Sequence, residues 1–408
     1  KHMNRPLDGI RVVALEQYMS GPYCSMLLAD AGAEVIKIER PGLGDPRRSI
    51  PPFAEKGEKK KAGGFMAYNR NKKSLALNIG PDSGKKVFLD LVEKADVVVE
   101  NLRPGSVDKM GMGYDTLKKI NPELIYAAIS GFGRLDGFKG PDSHRPAFDI
   151  VAEAMSGIMN LVGYDDKPPS WTIYGMADIY SGLCTAYGIM QALFMRERTG
   201  KGQFVDSSML DNMISLNERM VMLYSITGLE PKRGRLKHLF PRGAFPCKDG
   251  YIALNIPDDL VWARLCRVLE REDLIQDEKS KTGTARASNS DKLTPIIENW
   301  MKERTREKAE NILNKNGVPV GPVYTARDVF ESKQVQARKS LVDIDDPKVG
   351  LHQFARTPIH LSAAPEIPAR PAPELGQDTE EILSTLLGYA EEKINELQKN
   401  EIIQIYQG

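Results

Sequence analysis

The sequence predicts an α/β fold built around a parallel, doubly wound sheet. Short apolar runs rich in β-branched residues recur along the first half of the chain, with stretches of helical length between them. Strands and helices that alternate in this way are typical of a sheet covered by helices. Ligands of such sheets bind beyond the carboxyl ends of the strands. The 408 residues, 41% of them hydrophobic, are enough for about two or three domains.

Each element of this half follows from its local pattern. The run 10–15 is apolar apart from one arginine, and Ser20-Gly21-Pro22 then starts a helix, because proline is tolerated in the first helical turn. Strands are expected at 10–15, 34–39, 74–79, 95–100, 124–129 and 203–208, and helices at 23–31, 83–94, 114–120 and 209–224.

A change of composition marks the second half of the chain. Residues 227–242 are rich in Gly, Pro, Lys and Arg, which predicts an exposed connection into a second unit. The charged run 55–61, in the first half, is expected to be a mobile surface loop. The second unit is expected to contain a strand at 251–254, helices at 258–269 and 293–308, and an extended segment at 316–323, before a Pro/Ala-rich stretch at 363–373 and a helical tail.

The composition excludes several classes of function. Lysine and arginine total 56 against 55 acidic residues, so the near-neutral balance predicts neither nucleic acid nor an anionic membrane as a partner. The four cysteines lie far apart without a CxxC motif, which argues against a disulfide scaffold and a zinc site and fits a reducing compartment. No signal peptide or membrane-spanning apolar run is visible, so a cytoplasmic location is expected.

Asp178 is the leading candidate for a catalytic residue. Helical apolar periodicity begins at Ile179, which places Asp178 at the first residue of the expected helix. A carboxylate there faces free backbone N–H groups and the positive end of the helix dipole, so we expect it to be ionised near neutral pH. Such a carboxylate is either an N-cap, worth about 1 kcal/mol of helix stability, or a nucleophile. The local pattern alone favours the cap.

Cations and amides follow the predicted strands. Arg40 comes directly after the second strand, Asn101 and Arg103 come after the fourth, and Lys109 and Arg145 lie further along. No GxGxxG motif is present, which disfavours a nicotinamide or flavin dinucleotide. Each charge alone is more simply a solvated surface charge. Their shared location at one edge of the predicted sheet indicates a polyphosphate ligand with an adenine held between loops.

Several blocks of this sequence together resemble the class III coenzyme A-transferase family, whose members include formyl-CoA transferase and carnitine CoA-transferase. The resemblance runs from about Leu7 to Asp206 and resumes in shorter blocks beyond Arg242. The blocks are LDGIRVV from Leu7, LADAGAEVIKIERPG from Leu28, NRNKKSL from Asn69, ENLRPG from Glu100, TGKGQ from Thr199, RGAFPCKDG from Arg242, PVGPV from Pro319 and LGQDT from Leu375.

The resemblance implies an architecture and a set of site residues. It implies a Rossmann-like large domain at 1–224 and 331–408, a smaller α+β domain with linkers at 225–330, and a homodimer of two interlocked rings. Asp178 matches the catalytic aspartate of the family. Contacts with coenzyme A are implied for Tyr18, Met19, Arg40, Leu77, Asn78, Asn101, Leu102, Arg103, Lys109 and Arg145.

The implied reaction moves coenzyme A from an acyl-CoA to a small carboxylic acid. Asp178 would attack the thioester to give a mixed anhydride, and the released thiolate would then convert the anhydride into an aspartyl-CoA thioester. No metal and no tightly bound cofactor is implied, and coenzyme A enters as part of the substrate. The protein would hold the coenzyme, exclude water and stabilise oxyanions with backbone donors.

Two other functions are compatible with parts of the sequence. The related α-methylacyl-CoA racemases resemble the chain over the same blocks, but they need a histidine immediately before the aspartate that matches Asp149. Phe148 occupies that position and cannot carry a proton, and His144 lies four residues upstream, so the transferase is favoured. A non-catalytic protein that only binds coenzyme A would need no nucleophile, whereas Asp178 is present.

The sequence leaves the substrates and the gating of the site open. Formyl-CoA transferase carries a run of glycines over its active site; no such run occurs here, and Gly243 is the nearest equivalent. Arg235, His238 and Arg242 are candidates for binding the carboxylate of the acceptor, although solvated loop charges are the simpler interpretation.

Overall fold

The computed structural model describes residues 5–234, 240–366 and 368–408, and their contacts divide the chain into two units. The large unit comprises the described residues up to Val162, Pro169–Pro231, and those from Lys339 onwards. The small unit comprises Gly163–Pro168 and the described residues of Lys232–Arg338. The boundaries expected from the sequence, 224 and 330, lie a few residues before these.

The first part of the large unit alternates strands and helices close to the expected bounds. In chain order the elements are β1 (Arg11–Leu15), α1 (Ser20–Asp30), β2 (Glu34–Glu39), a 3₁₀ turn (Pro46–Ser49), β3 (Phe53–Lys56), β4 (Lys59–Ala62), α2 (Gly63–Asn69), β5 (Lys73–Leu77), α3 (Asp82–Val92), β6 (Val97–Glu100), α4 (Ser106–Lys109), α5 (Tyr114–Ile120), β7 (Ile125–Ser130), α6 (Asp149–Met155), α7 (Ile158–Leu161), α8 (Met176–Thr199), β8 (Phe204–Ser208), α9 (Met209–Leu216) and α10 (Glu218–Thr227). The helix expected at 209–224 is thus broken at Asn217, whose side-chain amide donates to the Ser156 carbonyl.

The small unit has a core of its own around Phe245, Trp262 and Ile297. Its elements are β9 (Arg242–Cys247), β10 (Gly250–Asn255), α11 (Asp259–Val268), α12 (Asp273–Gln276), α13 (Gly283–Ser288), α14 (Ser290–Lys302), α15 (Arg306–Lys315), β11 (Val320–Pro322), α16 (Ala326–Glu331) and α17 (Lys333–Ala337). The three strands form an antiparallel sheet in the order β11-β10-β9. The helix expected at 293–308 is two helices, because the Thr305 hydroxyl caps the start of the second one.

The chain then returns to the large unit. The elements of this segment are β12 (Leu341–Asp346), β13 (Gly350–Ala355), α18 (Thr379–Glu381), a π-helical turn (Ile382–Leu386), α19 (Glu391–Lys399) and β14 (Ile403–Gln404). β12 and β13 form a hairpin, and β14 pairs antiparallel with β5 at the edge of the main sheet.

The main sheet has seven strands in the order β14-β5-β2-β1-β6-β7-β8, and all of them except β14 are parallel. The expected α/β class and parallel sheet are confirmed. Alternate residues of the strands pack on opposite faces: Val12 faces a core shared with α1 and α8, whereas Val13 faces a core shared with α3 and α19. The chain steps outwards from β1 to β2 to β5 and then crosses to β6. The ligand crevice of such a sheet therefore lies between the ends of β1 and β6.

The charged run 55–61 was expected to be a mobile loop, and this prediction is wrong: the run is part of the β3–β4 hairpin. Its final lysine turns inwards. The Lys61 ammonium is buried and pairs with Asp346 at 2.8 Å and Glu374 at 3.0 Å, and it also donates to the Ala372 carbonyl. This buried pairing fixes the hairpin to the returning segment. Among the helices of the described residues, none is both long enough and apolar enough to cross a membrane.

Candidate active site

Asp178 lies in the first turn of α8 and is partly buried. The turn before it depends on Gly175, which has a φ of +89° and precedes the first helical residue. A Cβ at this position would collide with the Met19 side chain, so the close approach between the β1–α1 loop and the start of α8 requires glycine. This approach brings two sequence blocks 150 residues apart to one point, roughly in the manner of an α/β switch-point site.

The cap of α8 is Asp149, from the start of α6, and not Asp178. Asp149 Oδ1 accepts hydrogen bonds from the backbone N–H groups of Ala177 at 2.7 Å and Asp178 at 3.2 Å, and Oδ2 accepts from Gly175 at 3.1 Å. These bonds satisfy helix-terminal donors that otherwise have no partner. The carboxylate of Asp178 is therefore not needed for capping and remains available for chemistry.

The start of the helix does not keep Asp178 fully ionised near neutral pH, contrary to what the sequence predicts, because the pKa of this carboxyl is raised into the neutral range. Burial, together with the negative charge of Asp149, raises the pKa of Asp178 to about 7. A hydrogen bond from the Ser20 side chain and the positive charge of Arg47 act in the opposite direction but do not prevail. The physical reason is that the helix-end donors are already occupied by Asp149, so they do not stabilise the Asp178 carboxylate.

A chain of hydrogen bonds links Asp178 to the end of β6. The Ser20 hydroxyl bonds to the Asp178 carboxylate, and Asn101 Nδ2 donates to Ser20 Oγ at 3.1 Å. Asn101 also clamps the β1–α1 loop, because its Oδ1 accepts from the Gln17 N–H and its Nδ2 donates to the Gln17 carbonyl, both at 2.8 Å. The loops after β1 and β6 are thus joined across the crevice.

Arg47, in the 3₁₀ turn, supplies a cation near Asp178. Its Nη1 donates to the Tyr174 hydroxyl at 3.1 Å, and its guanidinium lies 5.6 Å from the centre of the Tyr174 ring. The charge of Arg47 lowers the pKa of both Asp178 and Tyr68, although burial raises the pKa of each. Arg47, Tyr68 and Tyr174 therefore belong to the same electrostatic environment as the candidate nucleophile.

Buried ion pairs lie under the β1–α1 loop and the 3₁₀ turn. Asp45 accepts from the Tyr18 N–H at 3.2 Å and the Arg47 N–H at 2.9 Å, and it pairs with Lys37 at 2.8 Å. Glu16 pairs in turn with Lys72 at 2.7 Å. Because both ends of each pair are buried, the pairs hold the β1–α1 loop and the 3₁₀ turn in a fixed relation.

The residues expected to contact coenzyme A lie around the carboxyl edge of the sheet, in different environments. Arg40, Arg103 and Lys109 are exposed, and none makes an ion pair with any residue in the part of the chain that the structure describes. Arg145 is exposed as well, but it pairs with Asp142 at 2.9 Å. Tyr18 is exposed, Asn78, Asn101 and Leu102 are partly exposed, and Met19 and Leu77 are buried.

Two of these loops are held by the returning segment. The Asn78 N–H donates to the Ile402 carbonyl at 2.7 Å. The Gly42 N–H, two residues beyond Arg40, donates to Gln404 Oε1 at 2.7 Å. A cavity of about 550 Å³ adjoins the loop after β6, and Pro104, Gly105, Arg134 and His144 are among its lining residues.

The structure also shows where Phe148, Gly243 and Arg242 lie. Phe148 is exposed and its ring packs edge to face on Tyr18, with centroids 6.0 Å apart, so no proton carrier stands immediately before Asp149. Gly243 lies inside β9 opposite Leu254 and is not part of a loop. Arg242 is exposed in the same strand, and the other two candidates for binding the acceptor, Arg235 and His238, lie outside the described residues.

Sequence reasoning missed several residues beside Asp178. The sequence identifies Asp149 only as the neighbour of Phe148, because its capping role depends on residues 26 to 29 positions away. Ser20 was noted only as a helix start. Arg47 and Tyr174 carry no periodic or motif signal in the sequence.

Comparisons with known proteins give consistent matches over most of the chain. Residues 7–379 match the family described as "CoA-transferase family III". The chain is 40% identical over 384 residues to a succinyl-CoA:mesaconate CoA-transferase from Haloarcula hispanica, with 92% of this chain and 95% of the relative covered. It is 36% identical over 403 residues to a succinyl-CoA:glutarate CoA-transferase from Mus musculus, with 98% and 91% covered. A CAIB/BAIF family protein from Brucella suis superposes with a TM-score of 0.85 at 36% identity, covering 94% of this chain and all of the other.

Proposed function

The chain belongs to CoA-transferase family III, and we propose that it performs the transfer through covalent intermediates on Asp178. The enzyme moves coenzyme A between an acyl-CoA and a carboxylic acid. The observation that carries the proposal is a carboxylate in the first turn of α8 whose capping duty is taken over by Asp149. Asp178 is thereby fixed in position, partly desolvated and more basic than an ordinary aspartate.

In the first step, an ionised Asp178 oxygen attacks the thioester carbonyl of the acyl-CoA. A carbon–oxygen bond forms, the carbon–sulfur bond breaks, and the products are an acyl-aspartyl anhydride and the coenzyme A thiolate. The raised pKa of Asp178 makes its carboxylate the stronger nucleophile once it has lost its proton.

In the second step, the thiolate attacks the aspartyl carbonyl of the anhydride. A carbon–sulfur bond forms, the bridging carbon–oxygen bond breaks, and the first acid leaves as its carboxylate. An incoming carboxylate then reverses both steps: it forms a new anhydride on the aspartyl-CoA thioester, and the returning thiolate takes up the new acyl group and frees Asp178. No net proton transfer is needed.

The start of α1 is suited to stabilise the oxyanions of these steps. The first N–H groups of a helix have no acceptor within the helix and carry partial positive charge. In α1 these groups belong to Ser20 and Gly21, and the Ser20 side chain bonds to Asp178. A tetrahedral centre bonded to an Asp178 oxygen would therefore form beside backbone donors that are already oriented.

The coenzyme is proposed to lie over the crevice between β1 and β6. Arg40, Arg103, Lys109 and Arg145 would then bind its phosphates, because all four are exposed at the carboxyl edge of the sheet. Tyr18, Met19, Leu77, Asn78, Asn101 and Leu102 would contact the remainder of the coenzyme. The domain bounds expected from the sequence, 1–224 with 331–408 and 225–330, are likewise kept as a proposal.

A homodimer is proposed from an apolar face of α8. Leu183, Tyr187, Met190 and Phe194 recur at helical spacing, and each is exposed by 41% or more. An apolar stripe of this size on one helix is typical of a protein interface. We assign the stripe to a second copy of the chain in an interlocked dimer, and we assign the protein to the cytoplasm, since its four cysteines are unpaired.

Trapping the covalent intermediate tests the mechanism. The protein is incubated with an acyl-CoA labelled in the coenzyme, and hydroxylamine is added to cleave the activated aspartyl group. Succinyl-CoA is the first donor to use, because two of the relatives described above are named for it. We expect the wild type to carry label and to yield an aspartyl hydroxamate at residue 178.

Asp178→Ala should abolish both the label and the transfer, whereas Asp166→Ala, which removes an exposed acid of the small unit, should retain both. Covalent label that persists in Asp178→Ala would show that another residue is the nucleophile. Rapid transfer by a wild type that never carries label would exclude the covalent route.

A further inference from the structure

Arg47 is a buried cation that no described carboxylate contacts directly. Its side chain belongs to a residue that is only 7% exposed, and among the described residues it makes no ion pair and its Nε has no hydrogen-bond partner. The neighbouring Arg48 is different, because it pairs with both carboxylate oxygens of Glu39 at 2.7 Å and donates to the Pro373 carbonyl. Arg48 is therefore satisfied by the fold, and Arg47 is not.

An unpaired guanidinium in this position is costly for the folded protein. Burial of a charge without a counter-charge is strongly unfavourable, so such groups are normally paired in the native state. The backbone of Arg47 is nevertheless fixed, since its N–H donates to Asp45 and Asp45 is itself paired with Lys37. The unfavourable free energy of the unpaired charge thus falls on a rigid part of the site. This is typical of a group that is positioned in advance to bind a ligand.

The guanidinium also occupies a space made for it by a glycine. A Cβ at Gly64 would collide with Arg47 Nε and would lie within 2.8 Å of Cζ. No positive φ requires glycine at this position, so the absence of a side chain serves the guanidinium and not the turn. Nε itself is shielded against Gly64, and Nη1 donates to the Tyr174 hydroxyl. A carboxylate would therefore be held at the end of the guanidinium by Nη1 and Nη2, which can donate two hydrogen bonds to it.

Arg47 lies close enough to Asp178 for its charge to affect that carboxylate, and it bonds to Tyr174 immediately before the turn that leads into α8. We propose that Arg47 binds the distal carboxylate of a dicarboxylic acid whose other carboxyl group reacts at Asp178. This inference rests on the proposed covalent route. Because the first acid leaves before the second enters, one subsite at Arg47 would select both the acyl group of the donor and the acceptor acid.

Isotope exchange between an acid and its own CoA thioester tests this proposal without knowledge of the physiological pair. Labelled succinate is exchanged into succinyl-CoA, and labelled butyrate into butyryl-CoA, which carries a methyl group in place of the distal carboxylate. The variants are Arg47→Met, Arg47→Lys and Gly64→Ala. Arg271→Met is the matched control, because it removes a partly exposed arginine of the small unit that pairs with Asp273.

We expect Arg47→Met to lower kcat/KM for succinate exchange by about 100-fold or more, since it removes one partner of a buried charge pair. Butyrate exchange should change by no more than a few-fold. Gly64→Ala should show the same selective loss, because it displaces the guanidinium and keeps the charge. Arg47→Lys keeps a positive charge, so it should exchange succinate faster than Arg47→Met. Arg271→Met should exchange both acids as fast as the wild type.

Two results would overturn the proposal. If Arg47→Met slows succinate and butyrate exchange equally, Arg47 serves Asp178 and not the substrate. If the wild type exchanges butyrate as fast as succinate, the site does not select a second carboxylate. Failure of the covalent route is a separate result, since it removes the label at residue 178 whichever acid is used. Thermal unfolding of each variant shows whether it is folded, and removal of an unpaired buried charge should not lower the midpoint.

Discussion

Asp149 Oδ1 accepts a hydrogen bond from the backbone N–H of Asp178 at 3.2 Å, so one acid caps the helix on which the other acts. The cap fixes the turn that carries Asp178. The negative charge of Asp149 also stands near the Asp178 carboxylate and contributes, after burial, to its raised pKa. A single side chain therefore positions the proposed nucleophile and increases its basicity, and the two effects can be separated by experiment.

The rate of transfer should depend on the ionisation of Asp178. Only the carboxylate can attack a thioester, and the pKa of this group is raised to about 7. We expect kcat/KM to fall about tenfold per pH unit below pH 6 and to reach a plateau above pH 8. The measurement is a pH profile with an acyl-CoA that stays intact over that range. A profile that is flat from pH 5 to 8 would contradict the raised pKa.

Asp149→Asn should move the acidic limb of that profile to lower pH. The substitution removes the neighbouring negative charge, which is the second cause of the raised pKa of Asp178 after burial. An asparagine oxygen in the place of Oδ1 can still accept two of the three N–H bonds, so we expect the free energy of unfolding to fall by only about 1 kcal/mol. An unchanged limb combined with a lower stability would show that Asp149 acts only as a cap.

Ser20→Ala should move the same limb in the opposite direction. The Ser20 side chain bonds to the Asp178 carboxylate and lowers its pKa, so removal of that bond leaves the ionised form less stabilised. Ser25→Ala is a suitable control for loss of a buried hydroxyl in the same helix, because the hydroxyl of Ser25 bonds to Glu16 instead. Equal shifts in the two variants would indicate a general loosening of α1.

Asp178→Asn should raise the free energy of unfolding near and above neutral pH but not at acidic pH. The pKa of Asp178 is higher in the folded than in the unfolded chain, so the folded state binds more protons and wild-type stability falls as the pH rises towards about 7. A neutral amide does not carry this penalty. We expect the variant to be roughly 1–3 kcal/mol more stable above pH 7, after allowance for partial solvent contact, with no gain below pH 4. Urea unfolding at several pH values measures both limits, and a gain that is the same at pH 4 and pH 8 would refute the linkage.

Lys61→Met should destabilise the large unit strongly. It removes the buried ammonium that Asp346 and Glu374 share, and the loss of one partner from a buried ion pair costs about 3–5 kcal/mol. Lys59→Met is the matched control, because Lys59 is an exposed lysine of the same hairpin and should change stability by less than about 0.5 kcal/mol. Similar midpoints for the two variants in denaturant unfolding would mean that the Lys61 pairing is not structural.

The sequence predicts the elements of the large unit well where the signal is local. Runs such as Val12–Leu15 are buried on both faces and are therefore apolar throughout, which identifies a strand without knowledge of its neighbours. The two-residue strand β14 carries no such signal, because it exists only through its pairing with Leu77 and Ala76. The prediction of a mobile loop at 55–61 is wrong for the same reason, since the acids that pair with the buried Lys61 lie 285 or more positions further along the chain.

The candidate site divides in a similar way. Asp178 could be found from the start of helical periodicity and from the family blocks around it. Its pKa could not, because the direction of the shift depends on Asp149 and on burial, and neither is visible in the residues next to it. Arg47 lies in a Pro-Arg-Arg run that resembles a solvated loop, and only the structure shows that one arginine of the pair is satisfied and the other is not.

The pairing of β14 with β5 has a consequence for biosynthesis. Residues 402–404 hold the loops that carry Asn78 and Gly42, more than 300 positions earlier in the chain. While these residues are still to be translated, β5 is an unpaired sheet edge that can join a foreign strand, and both loops lack their anchor. We therefore expect the nascent polypeptide to be more prone to aggregation before residues 402–404 have been added than after they pair with β5.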